Sequence, residues 1–358
     1  MRTIDWVDGA VEIIDQTALP GRLTVLRLTT VEQLVAAIQR LAVRGAPALG
    51  VAGALGVAMA ARQSTDRAAA VRLLETARPT AVNLAWGARR AAARLPEGAD
   101  AVLAEALSVR DEEIEASAAM ATRGADLLAE LCGARPRLLT HCNTGALATV
   151  VGGTALGAVL ELHRRDTLGT VVASETRPLL QGARLTAWEL GRAGVTYRVA
   201  VDGAGPFLMA RGEVDGVVLG ADRICANGDV INKIGSYAHA LGAHRAGIPF
   251  VVVAPESTVD MATASGADVE IEDRGADEVL SVHRSPAPDS RPPIPSAGPA
   301  GPDARSAGPG AESAGPDQSA GWATVGAVNP AFDVTPHDLV TAIVTERRVI
   351  RLDRGERV

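Results

Sequence analysis

Apolar positions change rhythm along the chain, and the change divides it. Residues 3–15, "TIDWVDGAVEIID", alternate on either side of Asp8-Gly9, which predicts a small antiparallel hairpin turning at that dipeptide. In "TTVEQLVAAIQRLAV" the spacing lengthens to three and four. Val31, Leu34, Val35, Ile38 and Leu41 then share one face of a helix, capped by Thr30 with Gln33 three residues on. Residues 46–61 are Gly- and Ala-rich and apolar all round, the pattern of a buried helix, and fall short of the roughly 20 residues that span a bilayer. Helical periodicity continues through residues 71–74, 83–95 and 114–131. After Pro136 it gives way to short apolar runs, "RLLTH", "TVVAS", "TYRVAV", "GVVLG" and "PFVVVAP", separated by helix-length segments. That alternation predicts βαβ units and a parallel sheet. The fold class is therefore α/β, with a mainly helical N-terminal domain over residues 1–134 and a parallel-sheet domain over 135–358. The closing "NPAFDVTPHDLVTAIVTERRVI" reads as a turn, a helix capped by Thr335 and a last short strand.

Residues 284–321 follow neither rhythm. They hold three copies of "SAGP", nine prolines and no aromatic residue, too little apolar surface to offset the entropy of ordering, and predict a disordered insertion. Lengthening a connection from about five residues to about forty costs only about 2 kcal/mol, so the fold tolerates it. A formal net charge of -7, with no basic stripe interleaved with aromatics, argues against nucleic acid and acidic membranes and leaves a small molecule as the expected partner. Asp5, Trp6 and Asp8 close behind Met1 are unlike a signal peptide. Cys132, Cys142 and Cys225 are irregularly spaced, which suits neither a disulfide framework nor a zinc site and points to a reducing cytoplasm.

Ligands of such sheets bind beyond the carboxyl ends of the strands. There the sequence puts Cys142 after the first predicted strand, Glu175 and Arg177 after the second, Asp202 after the third, and Asp222 with Arg223 after the fourth. Taken alone, Cys142 is as readily a small buried hydrophobe as a reagent. Asn143, Thr144 and Gly145 suit a tight entry into a helix, whose N-terminus stabilises a thiolate. Asp222 is either a carboxylate paired with Arg223 or an acid held neutral in the apolar wall of "VVLGADRICANGD". Keeping it protonated at neutral pH takes a rise of about 3 pKa units, roughly 4 kcal/mol, which full burial supplies. "VRGAPALG" sets Arg44 ahead of backbone amides at a helix start, a geometry suited to phosphate, with Arg78, Arg177 and Lys233 as further charge. An arginine in that place is also often simply solvated. No Walker loop is present and "DGAGPF" lacks the third glycine of a dinucleotide fingerprint, which argues against ATP and nicotinamide chemistry. His141 and His244 have no partner at metal-ligand spacing, and His141 reads as a satisfied strand residue.

With "RGAPALG", "RPTAVNL", "THCNTGALAT", "ETRPLLQGARLTAWEL", "GADRICANGDVINKIGSYAHA" and "NPAFDVTP" in this order, the chain resembles the methylthioribose-1-phosphate isomerases of methionine salvage. The resemblance runs from residue 2 to about 282 and again from 327, leaving out the insertion. It implies a cytoplasmic homodimer with a small antiparallel sheet in the helical N-terminal domain and a Rossmann-like C-terminal domain. A small phosphorylated sugar is the implied substrate, with no metal or organic cofactor. The family's catalytic pair falls on Cys142 and Asp222. Its substrate contacts fall on Arg44, Gly45, Ala46, Arg78, Gln181, Asn232 and Lys233. Ser174 before "ETRP" departs from a more usual aspartate. Ribose-1,5-bisphosphate isomerase and the regulatory subunits of initiation factor two-B share this fold group, so a second isomerase and a non-catalytic subunit are the rival readings.

Overall fold

The computed structural model describes residues 2–78, 81–281 and 326–358. The insertion expected at 284–321 lies outside the described residues. The chain forms two compact units, one made of Met1–Glu272 and Pro330–Val358, the other of Asp273–Asn329.

The larger unit opens with β1 (Ile4–Val7), β2 (Ala10–Ile14) and β3 (Val25–Leu28), an antiparallel sheet in that order. Asp8 and Gly9, with φ of 44° and 80°, supply the left-handed pair that a two-residue hairpin turn requires. α1 (Val31–Gln39) starts at the expected capping box, Thr30 with Gln33, and buries Val31, Leu34, Val35 and Ile38. Leu41 does not join that face, because the helix ends at Gln39 and Leu41 is left-handed, φ 63°. α2 (Ala46–Gln63) is buried from Ala46 to Ala61 and packs with α3 (Arg67–Thr76), α4 (Val82–Ala92) and the long α5 (Ala99–Cys132) around Leu34, Leu55, Leu74 and Leu84. Residue 134 lies in the turn after α5.

Beyond that turn come β4 (Leu138–Thr140), α6 (Ala155–Arg164), β5 (Val171–Ser174), α7 (Ala187–Arg192), β6 (Tyr197–Ala200), α8 (Ala204–Ala210) and β7 (Gly216–Leu219). β8 (Arg223–Cys225), β9 (Val230–Lys233), α9 (Ser236–Ala246), β10 (Phe250–Val253), β11 (Val259–Asp260), β12 (Phe332–Thr335), β13 (Ala342–Val344) and β14 (Val349–Ile350) follow. The main sheet runs β14-β13-β10-β7-β4-β5-β6, parallel except for β14. Alternate residues of β4, β5, β7 and β10 enter opposite cores. Leu138, Val171, Val218 and Val251 meet α5 and α6, while Leu139, Val172, Val217 and Val252 meet the side of Met209 on α8 and Ala240 on α9. Covering both faces explains why these four strands read as unbroken apolar runs. Counted from β4, the six parallel strands lie in the doubly wound order 3-2-1-4-5-6, so the chain winds outward in opposite directions from between β4 and β7.

A second sheet, β11-β8-β9-β12, grows from the end of β7. The helix expected after Thr335 is a correction. Pro336 follows β12 directly, only a 3-10 turn forms at His337–Leu339, and the β-branched "VTAIV" continues as β13. Thr335 Oγ1 is buried and has no hydrogen-bond partner among the described residues. In the smaller unit the described residues form one helical turn, Asp277–Leu280, with Arg274 ion-paired to Glu278 at 2.5 Å.

Candidate active site

Cys142 lies just beyond β4, its backbone left-handed at φ 61°, a conformation that persists in a non-glycine residue only where neighbours enforce it. Two hydroxyls do so. Thr176 Oγ1 accepts from the Cys142 N–H at 2.8 Å, and Thr186 Oγ1 donates to the Cys142 carbonyl at 2.6 Å. Thr176 is left-handed too, φ 65°, and its turn is tied by Asp202. That carboxylate accepts from Ser174 Oγ, from the Thr176 N–H at 2.8 Å and from the Arg177 N–H at 2.7 Å. The residues after Cys142 make a 3-10 turn, Ala146–Ala148, and α6 begins only at Ala155. The expected helix N-terminus at the thiol is thus overturned, since three glycines and the Thr144 contacts break the segment before a helix can propagate. Burial pushes the half-buried thiol's pKa up, with Arg44 and Lys233 pulling it down and Asp222 adding to the rise.

Asp222 joins β7 to β8. Its N–H donates to the Ile231 carbonyl at 2.9 Å, and the β8–β9 register, Arg223 opposite Ile231, carries Asp222 across from Asn232. Arg223 is not its partner: that guanidinium reaches Asp260 at 3.5 Å and Thr263 Oγ1 at 3.4 Å. Burial pushes the Asp222 carboxyl up, against Lys233, Arg78 and Arg44, and Glu272 adds to the rise. Since β4 and β7 are neighbours, Cys142 and Asp222 flank the point where the winding reverses.

Arg44 is buried and held by three donations: to Gln16 Oε1 at 3.0 Å, to the Asn143 carbonyl at 2.9 Å and to Asn143 Oδ1. Burial lowers its pKa, and Cys142, Glu189 and Asp222 act to raise it. Gly45 has φ 98°, and a Cβ there would lie 2.4 Å from the Ala148 carbonyl oxygen, so only glycine lets the chain turn from Arg44 into α2 at Ala46. Arg44 and Gln181 line one cavity of about 260 Å³, where Gln181 Oε1 is buried without a partner among the described residues. Asp222 lines another of about 200 Å³ with Ile231, Val269, Ile271 and Phe332. Arg78 reaches Glu272 at 3.7 Å. Lys233 Nζ donates to the Ala331 carbonyl at 2.6 Å and lies 4.6 Å from the ring centre of Phe332, while Asn232 Nδ2 donates to Ser236 Oγ at 2.8 Å. Arg44, Arg78, Cys142, Asp222 and Lys233 therefore make one electrostatic cluster, with Gln181 on the Arg44 side and the Asn232 amide turned toward Ser236. Cavity size alone would have pointed elsewhere. A space of about 550 Å³ is larger; its walls pair Arg90 with Glu112 and Arg348 with Glu256 and carry Glu113, whose pKa burial pushes up to about 8.

Several further residues shape the site, and of these Glu189 carried no sequence signal of its own. Glu189, buried, accepts from Asn143 Nδ2 and the Ala146 N–H, both at 2.7 Å, and so fixes the residue that holds Arg44. His141 Nε2 donates to the Ile234 carbonyl at 2.8 Å, and burial lowers its pKa to about 4, the satisfied neutral histidine the sequence suggested. Asp333 accepts from the Gly235 and Tyr237 N–H groups at 2.7 and 3.2 Å at the start of α9. Thr176 and Asp333 sit inside "ETRP" and "NPAFDVTP", where their motifs were visible but their roles were not.

Residues 42–351 match the model of the initiation factor 2 subunit family. A methylthioribose-1-phosphate isomerase of Anaeromyxobacter sp. (strain K) is 49% identical over 344 residues, covering 95% of this chain and 91% of the relative. A probable bifunctional methylthioribose-1-phosphate isomerase/methylthioribulose-1-phosphate dehydratase of Nocardia farcinica is 50% identical over 368 residues. That match covers 98% of this chain, which spans only 60% of the relative's length. Among solved structures, a 5-methylthioribose 1-phosphate isomerase from Pyrococcus horikoshii OT3 aligns with a TM-score of 0.79 at 37% identity, over 98% of this chain and 92% of that one. No helix among the described residues is long and apolar enough to cross a membrane. On a family match that takes in both the Arg44 turn and the rim carrying Cys142 and Asp222, the chain belongs to the initiation factor 2 subunit family.

Proposed function

We propose that the protein is an aldose–ketose isomerase that converts 5-methylthioribose 1-phosphate into 5-methylthioribulose 1-phosphate in methionine salvage. One observation carries the reading: a thiol and an acid, Cys142 and Asp222, flank the sheet's switch point within a shared cluster that contains Arg44 and Lys233. The isomerase names of the relatives support it over ribose-1,5-bisphosphate isomerase and over a non-catalytic subunit.

A phosphate on the anomeric carbon keeps the ring from opening by itself. Asp222, with its pKa raised by burial, holds the proton that a departing ring oxygen needs, and its transfer breaks the bond from that oxygen to C1. The hydrogen on C2 then leaves in one of two balanced ways. It passes as a proton to the Cys142 sulfur to give an enol, to which a proton adds at C1 as the 2-hydroxyl loses its own, or it moves as hydride to C1 while the 2-hydroxyl loses its proton. Burial raises the thiol's pKa, so the resting sulfur is protonated and must lose its proton before acting as a base. Arg44 and Lys233, which favour the thiolate, are the groups that make this affordable. Arg44, Arg78 and Lys233 supply charge for the phosphate, with Gly45, Ala46, Gln181 and Asn232 completing the substrate contacts.

The same reading takes residues 1–134 and 135–358 as helical and Rossmann-like catalytic domains of a cytoplasmic homodimer. Phe207 on α8 and Tyr237 and Leu241 on the adjoining α9 are apolar and exposed, which supports association. The test is turnover of methylthioribose 1-phosphate, followed by NMR in deuterated water. Cys142→Ser and Asp222→Asn should each lower kcat/KM by about a thousandfold. Deuterium in the product marks the proton route. Full activity in both variants would remove the site assignment, and no turnover by the unaltered protein would remove the reaction.

A further inference from the structure

Cys142 is gripped at both backbone atoms by side chains from the next crossover, although neither threonine belongs to the reacting pair. The N–H is taken by Thr176 Oγ1 at 2.8 Å and the carbonyl by Thr186 Oγ1 at 2.6 Å. Each hydroxyl is oriented by a second bond. Thr176 donates to the Ser174 carbonyl at 3.0 Å, leaving its lone pair for Cys142, and Thr186 accepts from Asn143 Nδ2 at 3.3 Å, leaving its proton for the Cys142 carbonyl. Both threonines are fully buried, so no water competes for these bonds. The grip itself is anchored. Asp202 ties the Thr176 turn, and Thr186 ends a π-helical segment, Gly182–Thr186, an irregularity that turns a helix residue toward a neighbour. A left-handed β-branched residue is a rare conformation, and here it stands against a left-handed cysteine.

We infer that Thr176 and Thr186 are positioning residues, whose hydroxyls hold the Cys142 backbone in the left-handed conformation that keeps its thiol among Arg44, Lys233 and Asp222. Without either bond an amide or carbonyl of Cys142 is buried unpaired, the extended backbone becomes the lower state, and the sulfur swings out of the cluster. The inference rests on the reading of Cys142 as the reacting thiol, but its test does not depend on isomerase turnover.

The experiment compares Thr176→Val, Thr186→Val and their Ser counterparts with the unaltered protein. Alkylation of Cys142 by iodoacetamide is followed across pH by peptide mass spectrometry, with Cys132 in the same digest as internal reference. The Val variants should move the alkylation midpoint of Cys142 downward by about half a pH unit or more, because the sulfur leaves the burial that does most to raise its pKa, and the Cys132 profile should stay put. They should also lower kcat about a hundredfold with KM changed by no more than about twofold, the signature of a displaced reacting group. Serine restores both. If both Val variants, folded by circular dichroism, alkylate Cys142 along the unaltered profile, the inference is overturned. If the midpoint moves while kcat does not, the grip is upheld and the assignment of Cys142 as reagent fails. Should Thr176→Val not fold, Thr186→Val tests the same grip from the carbonyl side.

Discussion

Two carboxylates tie down the two turns that frame the site, and they hold their protons in opposite ways. Asp202, after β6, accepts from the Thr176 and Arg177 N–H groups on the Cys142 side. Asp333, on β12, accepts from the Gly235 and Tyr237 N–H groups on the side of Asn232 and Lys233. Burial pushes Asp202 up, but hydrogen bonds from Ser174 Oγ and from the Arg177 and Thr176 N–H groups outweigh it and bring the carboxyl below its ordinary range. Burial pushes Asp333 up to about 6, because it lies deeper and one of its oxygens, Oδ1, has no partner among the described residues. The difference separates two ways of placing a functional group. On one side a strained turn is held by a fully satisfied anion; on the other the regular register of β8, β9 and β12 does the placing, and an imperfectly satisfied acid suffices.

The sharpest way to break the comparison is to remove the room that the strained side needs. A Cβ added at Gly182 would lie 1.7 Å from the Ser174 carbonyl oxygen, a backbone atom with nowhere to go. Gly182→Ala should therefore cost about 3 kcal/mol in urea unfolding, at the upper end for overpacking, and should disturb Cys142 alkylation as well. A loss under about 1 kcal/mol would mean that the turn adapts and is not strained in the sense argued.

Next in size is the anion itself. Asp202→Asn keeps one acceptor oxygen but sets an NH₂ group against a backbone N–H, so it should cost about 2 kcal/mol at pH 7. The sign with pH follows from the lowered pKa: the stabilisation is present above the unfolded value of 3.8 and is lost as pH falls through the folded one. The gap between the unaltered protein and Asp202→Asn should therefore close on acidification. A gap that stays constant down to pH 3 would show that the charge of Asp202 is not what holds the turn.

The same contrast explains what could be read from the chain beforehand. β4, β5, β7 and β10 were legible because burial on both faces leaves apolar runs that little else produces, and their order alone brought Cys142 and Asp222 to one rim. In sequence β12 reads as a turn, and β13 as helix because "HDLVTAIV" has helical spacing, which Pro336 and the β-branched run outweigh only once a sheet edge is available. The left-handed Cys142 was illegible: its conformation is set by Thr176 and Thr186, 34 and 44 residues away in sequence, and no local propensity encodes a hydroxyl arriving from another crossover. The resemblance supplied the roles of Arg44, Gln181 and Lys233, where residue type alone left them open.

The smallest expected effect sharpens the comparison most, since it reverses sign. Asp333 has a folded pKa near 6 against 3.8 for the free side chain, so its contribution is fully present below about pH 3.8 and is lost as pH rises through 6. Ionising it at pH 8 puts a charge in a site that offers two N–H donors and leaves one oxygen bare. An amide at this position keeps an acceptor for the Gly235 N–H and carries no charge to bury. Asp333→Asn should thus be less stable than the unaltered protein by under about 1 kcal/mol at pH 5, where the acid is largely neutral, and more stable by about 1 kcal/mol at pH 8. Urea midpoints at the two pH values measure the crossing. If Asp333→Asn instead loses stability more at pH 8 than at pH 5, the ionised carboxylate is the form that holds α9. The two sides of the site would then be built alike.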